Sequence, residues 1–368
     1  MTPSPRRPRT MTLPTLPHTR RRFLARAGAL GLAAPLGLVG SPSSAGLLPV
    51  PDLAGAPICR VAAAGPAASG ALRPIRLAWN ASAICTAAAP VAKESGVFAR
   101  HGLDVEFVNF GGSTEQLLEA IATGKADAGI GMALRWLKPL EQGFDVKVTA
   151  GIHGGCMRLL GATSAGATSL EALKGKVIAV SDQASPAKNF FSLLLAKRGI
   201  DPEREVEWRV YPMDLLNLAV EKGEAQALAD GDPRTFLWAK DARLSEIANN
   251  LSAEYHDRTC CILALRGSLV RDERPVAAAL TRALLEAGTR VAHDPGYAAT
   301  VYAGYGGKGS VDDLAAMLRS HTHHHHPLGA ELKQQIAAYI DELKTVKVIR
   351  ARTDAKQFAE RVYADVLS

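Results

Sequence analysis

No Asp or Glu precedes Asp52 in this chain of 368 residues, and the whole charge excess lies in that acid-free stretch. Seven of the 43 Lys and Arg, namely Arg6, Arg7, Arg9, Arg20, Arg21, Arg22 and Arg26, fall before Ala45, which leaves 36 basic against 36 acidic residues in the rest. The formal charge of +7 therefore does not belong to the folded body. No basic stripe with interleaved aromatics occurs later, so a nucleic-acid partner is not expected. A long apolar run is also missing. Residues 27–39 are apolar, but a membrane-spanning helix needs ~20 such residues. Nor is there a G-x-S-x-G elbow, a phosphate-binding lysine loop or an H-E-x-x-H pair. The absence of these motifs suits a binding protein better than an enzyme of those classes.

An arginine-rich, acid-free segment followed by a short apolar one reads as an export signal over residues 1–45. Thr19-Arg20-Arg21-Arg22-Phe23-Leu24 resembles the twin-arginine signal, with Ala25 where a lysine is often found, and Ser43-Ser44-Ala45 offers a cleavage site. An ordinary arginine-rich secretory signal is the alternative. Either one sends the product out of the cytoplasm, to the periplasm. Residues 46–73, rich in Ala, Pro and Gly, lack a periodic apolar face and read as a flexible linker.

The most informative stretch is 104–132. Val105 and Phe107 alternate as in a strand, Gly111-Gly112 breaks it, and Ser113 or Thr114 can cap a helix whose apolar face is Leu117, Leu118, Ile121 and Ala122. Residues 126–131 have room only for another strand. This is a βαβ unit, with its helix N-terminus at the carboxyl end of a parallel sheet, where open α/β sheets bind ligands. Strands at 75–79, 146–152, 177–181, 206–210 and 225–229 alternate with helices at 90–100, 186–197 and 215–222, while 157–162 leads into a loop and 262–265 returns to the first lobe. Five further helices follow, at 275–292, 297–302, 311–318, 330–343 and 355–366. Nearly 300 residues exceed one typical core, so two lobes are expected: 74–162 with 265–368, and 163–264.

Gly96-Val97-Phe98, Gly102-Leu103, Gly112-Ser113 and Gly124-Lys125-Ala126-Asp127 occur in the order found in one family. In these residues the chain resembles periplasmic solute-binding proteins of ABC importers, in the nitrate, sulfonate, taurine and thiamine-precursor branch. The resemblance covers roughly residues 74–368. It implies an α/β, two-lobed periplasmic binding protein fold of type II, with a hinge of two crossing segments. It further implies a monomer that captures a small solute and passes it to an inner-membrane ABC permease, with no cofactor required. One branch of similar proteins is an enzyme that makes the thiamine pyrimidine with iron, a cysteine cluster, and a lysine and histidine consumed from the chain. Cys260-Cys261 is only a fragment of that cluster, and export removes the chain from cytosolic pyridoxal phosphate.

Two lobes on a hinge imply a ligand closed between them. The loops expected to face it hold Trp79, Asn80, Ser82, Gly112, Ser113, Thr114, Met132, Arg135, His153, Asp182, Ser185 and Asp230. Trp79 is a stacking wall or plain core. Arg135 is a cation for an acidic solute, or with Lys138 a solvated helix face, and the surface reading is favoured slightly. Asp230 and Asp232 bind a cation or form an Asp-Gly turn, with Arg234 as their partner. An anion such as nitrate, a sulfonate or a carboxylate suits the mostly uncharged lip.

Five cysteines in an exported chain invite explanation. Cys59 lies in the linker. Cys156 could pair with Cys260 or Cys261 across the hinge, a transition metal could sit on Cys85, His153, Cys156 and Cys260, or the thiols could simply be buried. His321-Thr322-His323-His324-His325-His326 is either a polar loop or a metal-capturing one, with His323, His324 and His325 as candidate ligands. A periplasmic metal-binding protein is thus the alternative to solute import.

Overall fold

The structure, a computed structural model, describes residues 71–368. The export signal, Cys59 and most of the linker lie outside the described residues.

Among the described residues, ten strands form two five-stranded sheets. They are β1 (Arg73–Trp79), β2 (Leu103–Asn109), β3 (Ala128–Met132), β4 (Val146–His153), β5 (Met157–Ala162), β6 (Val177–Val180), β7 (Glu207–Val210), β8 (Ala227–Gly231), β9 (Leu244–Asn249) and β10 (Cys261–Arg266). The first sheet runs β2-β1-β3-β10-β4 and the second β7-β6-β8-β5-β9. In each, one strand is antiparallel to both neighbours: β10 between β3 and β4, β5 between β8 and β9. That strand is the one entering from the other sheet. The chain therefore crosses twice, after β4 and after β9, and the fold is the two-lobed α/β architecture with a hinge of two crossing segments.

Helices cover both faces of the sheets, so the central strands are apolar throughout rather than alternating. β4, with the sequence VKVTAGIH, is buried along almost its whole length. Apolar packing is continuous, with one core cluster that takes in residues of both sheets and a smaller one around Leu160, Leu216 and Leu228. No helix among the described residues is long and apolar enough to cross a membrane.

Several expectations need correction. Met157–Ala162, placed by sequence in the first lobe, hydrogen-bonds in the second sheet, and Cys261–Arg266 has already returned to the first. The boundaries at 162 and 264 therefore move toward the crossings. The helix expected over 90–100 is two, Ala88–Glu94 and Val97–Arg100, divided at Gly96, whose φ of +69° a helix interior does not accommodate. Residues after Met132 were expected to be a loop, but the helix Ala133–Glu141 starts directly from β3. β9 was not foreseen. It is an edge strand whose Ser245 to Asn249 are only half-buried or exposed, so no clean alternation marks it.

Candidate functional site

The carboxyl ends of the parallel strands in the two sheets face one cleft. Lobe one contributes Asn80, Ala83, Gly112, Met132 and Arg135; lobe two contributes Ser185, Met213, Asp230 and Arg234, among others. The lobes touch. Arg234 Nη1 donates to the Ser82 carbonyl at 3.3 Å, and a Cβ on Gly112 would lie 2.6 Å from the Met213 methyl. A Cβ on Gly231 would likewise be 2.9 Å from that of Met132. The space enclosed between the lobes is about 20 Å³, room for one water-sized group, and an open groove of about 410 Å³ adjoins it at Ser113, Asp182 and Met213.

Two helices point their N-termini at this space. Ser113 caps Thr114–Ala122 by accepting from Gln116 N at 3.3 Å, and Ser185 caps Pro186–Lys197 by accepting from Lys188 N at 3.1 Å. Arg135 stands beside the first. Its Nη1 donates to the Gly112 carbonyl and to Thr114 Oγ1, both at 2.6 Å, while its Nε has no partner. The residue is only 7% exposed, which overturns the solvated-face reading. Burial pulls its pKa down, though arginine remains charged.

The other buried charges are already matched. Arg234 Nε donates to Asp230 Oδ2 at 2.8 Å, so Asp230 is neither a free cation site nor only a turn residue. Asp232, wholly buried, accepts from Thr235 Oγ1 at 2.7 Å, Phe236 N at 3.0 Å and Arg158 Nε at 3.1 Å, and lies 2.9 Å from His321 Nε2. Burial pushes the Asp232 carboxyl up, but His321 and Arg158 outweigh it and hold it below the ordinary range. The lining thus holds two arginines, Arg135 and Arg234, and two carboxylates, Asp230 and Asp232, and of the two arginines only Arg135 has no carboxylate partner.

The hinge is close-packed. Asn250 Oδ1, on the second crossing, accepts from Cys156 N and Met157 N of the first at 2.8 and 2.7 Å. A Cβ on Gly155 would stand 2.0 Å from the Asn250 carbonyl oxygen, and one on Gly154 1.8 Å from Thr322 Oγ1. The glycines of His153-Gly154-Gly155-Cys156 thus let backbones approach.

Beneath the cleft floor lies a thiol and imidazole cluster. One donor atom from each of Cys85, His153, Cys156 and Cys261 falls within 4.8 Å of all the others, and all four residues are buried. Cys260 Sγ is 3.7 Å from Cys156 Sγ, too far for a bond, and the four described cysteines are free. The cross-hinge disulfide, one of the three possibilities, is therefore not formed. His321 and His323 flank the group, the His323 ring centroid 4.7 Å from that of His153.

Comparison with known proteins follows this geometry. A family model described as the NMT1-like family matches residues 69–303. The chain belongs to the NMT1-like family. No curated protein matches it by sequence. Among solved structures, this NMT1-like chain is similar to the alkanesulfonate-binding protein SsuA of Xanthomonas axonopodis pv. citri bound to MOPS (19% identity, TM-score 0.65, 79% of this chain and 99% of that one). It is also similar to the periplasmic nitrate-binding protein NrtA of Synechocystis PCC 6803 (15% identity, TM-score 0.67, 80% and 87%). A third is the zinc-bound ligand-binding component of an ABC-type import system from Staphylococcus aureus (15%, 0.64, 79% and 99%). At these identities the likeness establishes the shared periplasmic binding protein fold.

Within this NMT1-like fold, Asn80, Gly112, Met132, Arg135, Ser185 and Asp230 line the closed cleft, Ser113 and Asp182 border its mouth, and Thr114 and Ser82 reach it through Arg135 and Arg234. Trp79 does not. It is core, packed on Phe107 at 4.9 Å and Tyr305 at 5.7 Å, because strand alternation turns it opposite to Asn80. His153 belongs to the thiol cluster. Of the expected metal ligands, Cys85, His153 and Cys156 come together, and Cys261 takes the place foreseen for Cys260. His323 adjoins the group, His324 is exposed, and His325 is turned to Glu331 at 2.8 Å. Met213 and Arg158 were missed, since no local signal marks residues whose partners lie far away in sequence, and His321, noticed only as part of the histidine run, turns out to pair with Asp232.

Proposed function

We propose that the protein is the solute-capturing component of an ABC import system. It is exported to the periplasm, by the twin-arginine route, closes as a monomer on a small anion, and delivers it to an inner-membrane permease. It binds and does not catalyse, and needs no cofactor to hold its cargo. Nitrate, a short sulfonate or a small carboxylate is the class of solute.

The observation that carries this reading is Arg135, a buried guanidinium with unused donors, set at the meeting of the two lobes. Charge-assisted hydrogen bonds from guanidinium are the strong recognition element for such anions. Two helix N-termini add positive potential. Asp230 and Asp232 are matched within the wall by Arg234 and Arg158, so neither is open to a cation. The names of the nitrate- and alkanesulfonate-binding relatives support the same class.

Isothermal titration calorimetry with nitrate, short alkanesulfonates, small carboxylates and a cationic amine control tests it. Binding to one anion class and not to the amine is expected. Binding of the amine alone, or of nothing in the panel, would refute the anion reading.

A further inference from the structure

Free cysteine is comfortable in an apolar core, so three buried thiols alone would require no explanation. His153 does. It is 0% exposed, and neither Nδ1 nor Nε2 has a hydrogen-bond partner. An imidazole always carries at least one N–H donor or lone pair to satisfy, and leaving such a group unmet in the interior costs about 1–3 kcal/mol. His323, next to it, is 1% exposed with both ring nitrogens equally unmet. Native interiors satisfy nearly all such groups, so a bonding partner of another kind is called for.

The thiols supply the rest of a coordination set. Cys85 lies in the short helical turn after β1, His153 ends β4, Cys156 is in the first crossing, and Cys261 opens β10 after the second. Their four donor atoms lie within 4.8 Å of one another. A tetrahedral zinc, with metal–sulfur bonds of ~2.3 Å and metal–nitrogen bonds of ~2.0 Å, holds its ligands roughly 3.5–3.8 Å apart, so rotamer adjustments alone would draw these onto one ion. Three sulfurs and one nitrogen, closed off from water, match a structural site and not a catalytic one, which keeps an open position.

We propose that Cys85, His153, Cys156 and Cys261 form a closed site for one thiophilic divalent cation, zinc(II) being the best match, which staples the first crossing segment to the first lobe beside the point where the second crossing re-enters it. Three thiols give up their protons on binding, and no electron is transferred. The ion would sit directly below the cleft floor, since Cys261 is paired across the sheet with Met132. Cys260, the neighbour of Cys156, stays outside the ligand set. His324 and His325 take no part. The site stands on its own residues and is independent of which solute the cleft takes.

The test uses full mature protein purified without metal-affinity resin, reduced, and titrated with cobalt(II) as a spectroscopic stand-in for zinc. One equivalent should bind, with a sulfur-to-cobalt charge-transfer band and the intense visible bands of tetrahedral coordination, and zinc(II) should displace it. Cys156→Ser and Cys261→Ser should lose the bound equivalent, whereas Cys260→Ser and the double change His324→Ala with His325→Ala should keep it. Absence of the charge-transfer band in the reduced wild type would overturn the proposal whether or not any variant folds. So would a band that survives Cys261→Ser, or binding lost on removing His324 and His325.

Discussion

Asp232 and His153 are equally buried, yet they are provided for in opposite ways. Asp232 is met by Thr235, the Phe236 amide, Arg158 and His321, whereas neither ring nitrogen of His153 is met at all. The first is a finished polar network that fixes the geometry of the lobe-two wall. The second is an imidazole without a hydrogen bond set among thiols, of which Cys156 has Cys260 as its neighbour. Arg135 lies between these extremes, half satisfied by Gly112 and Thr114 and half free. Satisfied groups hold the frame, and an unsatisfied one that converges with other ligating atoms, as His153 does with three thiols, marks a place a ligand can fill.

The sharpest way to break the comparison is Asp232→Asn, which leaves Arg158 with only Glu246 as carboxylate partner. Removing one member of a buried pair costs about 3–5 kcal/mol. A lower denaturant midpoint at unchanged slope is expected, and a loss below about 1 kcal/mol would mean Glu246 suffices. The effect has a pH signature. Because the Asp232 carboxyl is held below its ordinary value of 3.8, its contribution is present above that pH and is lost as pH falls through the lower folded value. The difference between wild type and variant should therefore close in acid.

Arg135→Met should weaken anion binding by roughly tenfold to a hundredfold, as expected for losing a charged hydrogen bond worth about 1.5–3 kcal/mol. Calorimetry on the folded variant reads this. Unchanged affinity would remove Arg135 from the site. Gly155→Ala forces a Cβ against the Asn250 carbonyl at the hinge, and should cost about 1–3 kcal/mol in thermal or chemical unfolding. A neutral result would show that the crossing segments separate readily. Smallest is Ser185→Ala, which removes one helix cap for about 1 kcal/mol and shifts anion affinity only a few-fold.

Much of this was legible in the chain. Ser113 and Ser185 announce their helices by position, Gly111-Gly112 marks the turn, and Pro186–Lys197 has the expected boundaries. Local chemistry decides such features. Of the cluster, Cys85, His153 and Cys156 were named together from the sequence, but Cys260 stood where Cys261 belongs, because Cys261 joins through its sheet pairing with His153, which no spacing reveals. Arg135 was misjudged because Lys138 suggested a wet face. Lys138 reaches out to Glu141, while Arg135 turns in toward Gly112. In the histidine run, His321 and His323 are buried and His324 is exposed, a pattern set by what packs around an irregular segment and not by the run itself.

Small-angle X-ray scattering, recorded while the preferred anion is titrated into the mature protein, tests the account most directly. The space enclosed between the lobes is about 20 Å³, and a receptor that captures its solute there opens to load and closes to hold. The radius of gyration should fall as the anion binds, and Arg135→Met should show no such fall at the same concentration. An anion that binds with no change in the wild type would contradict capture between the lobes.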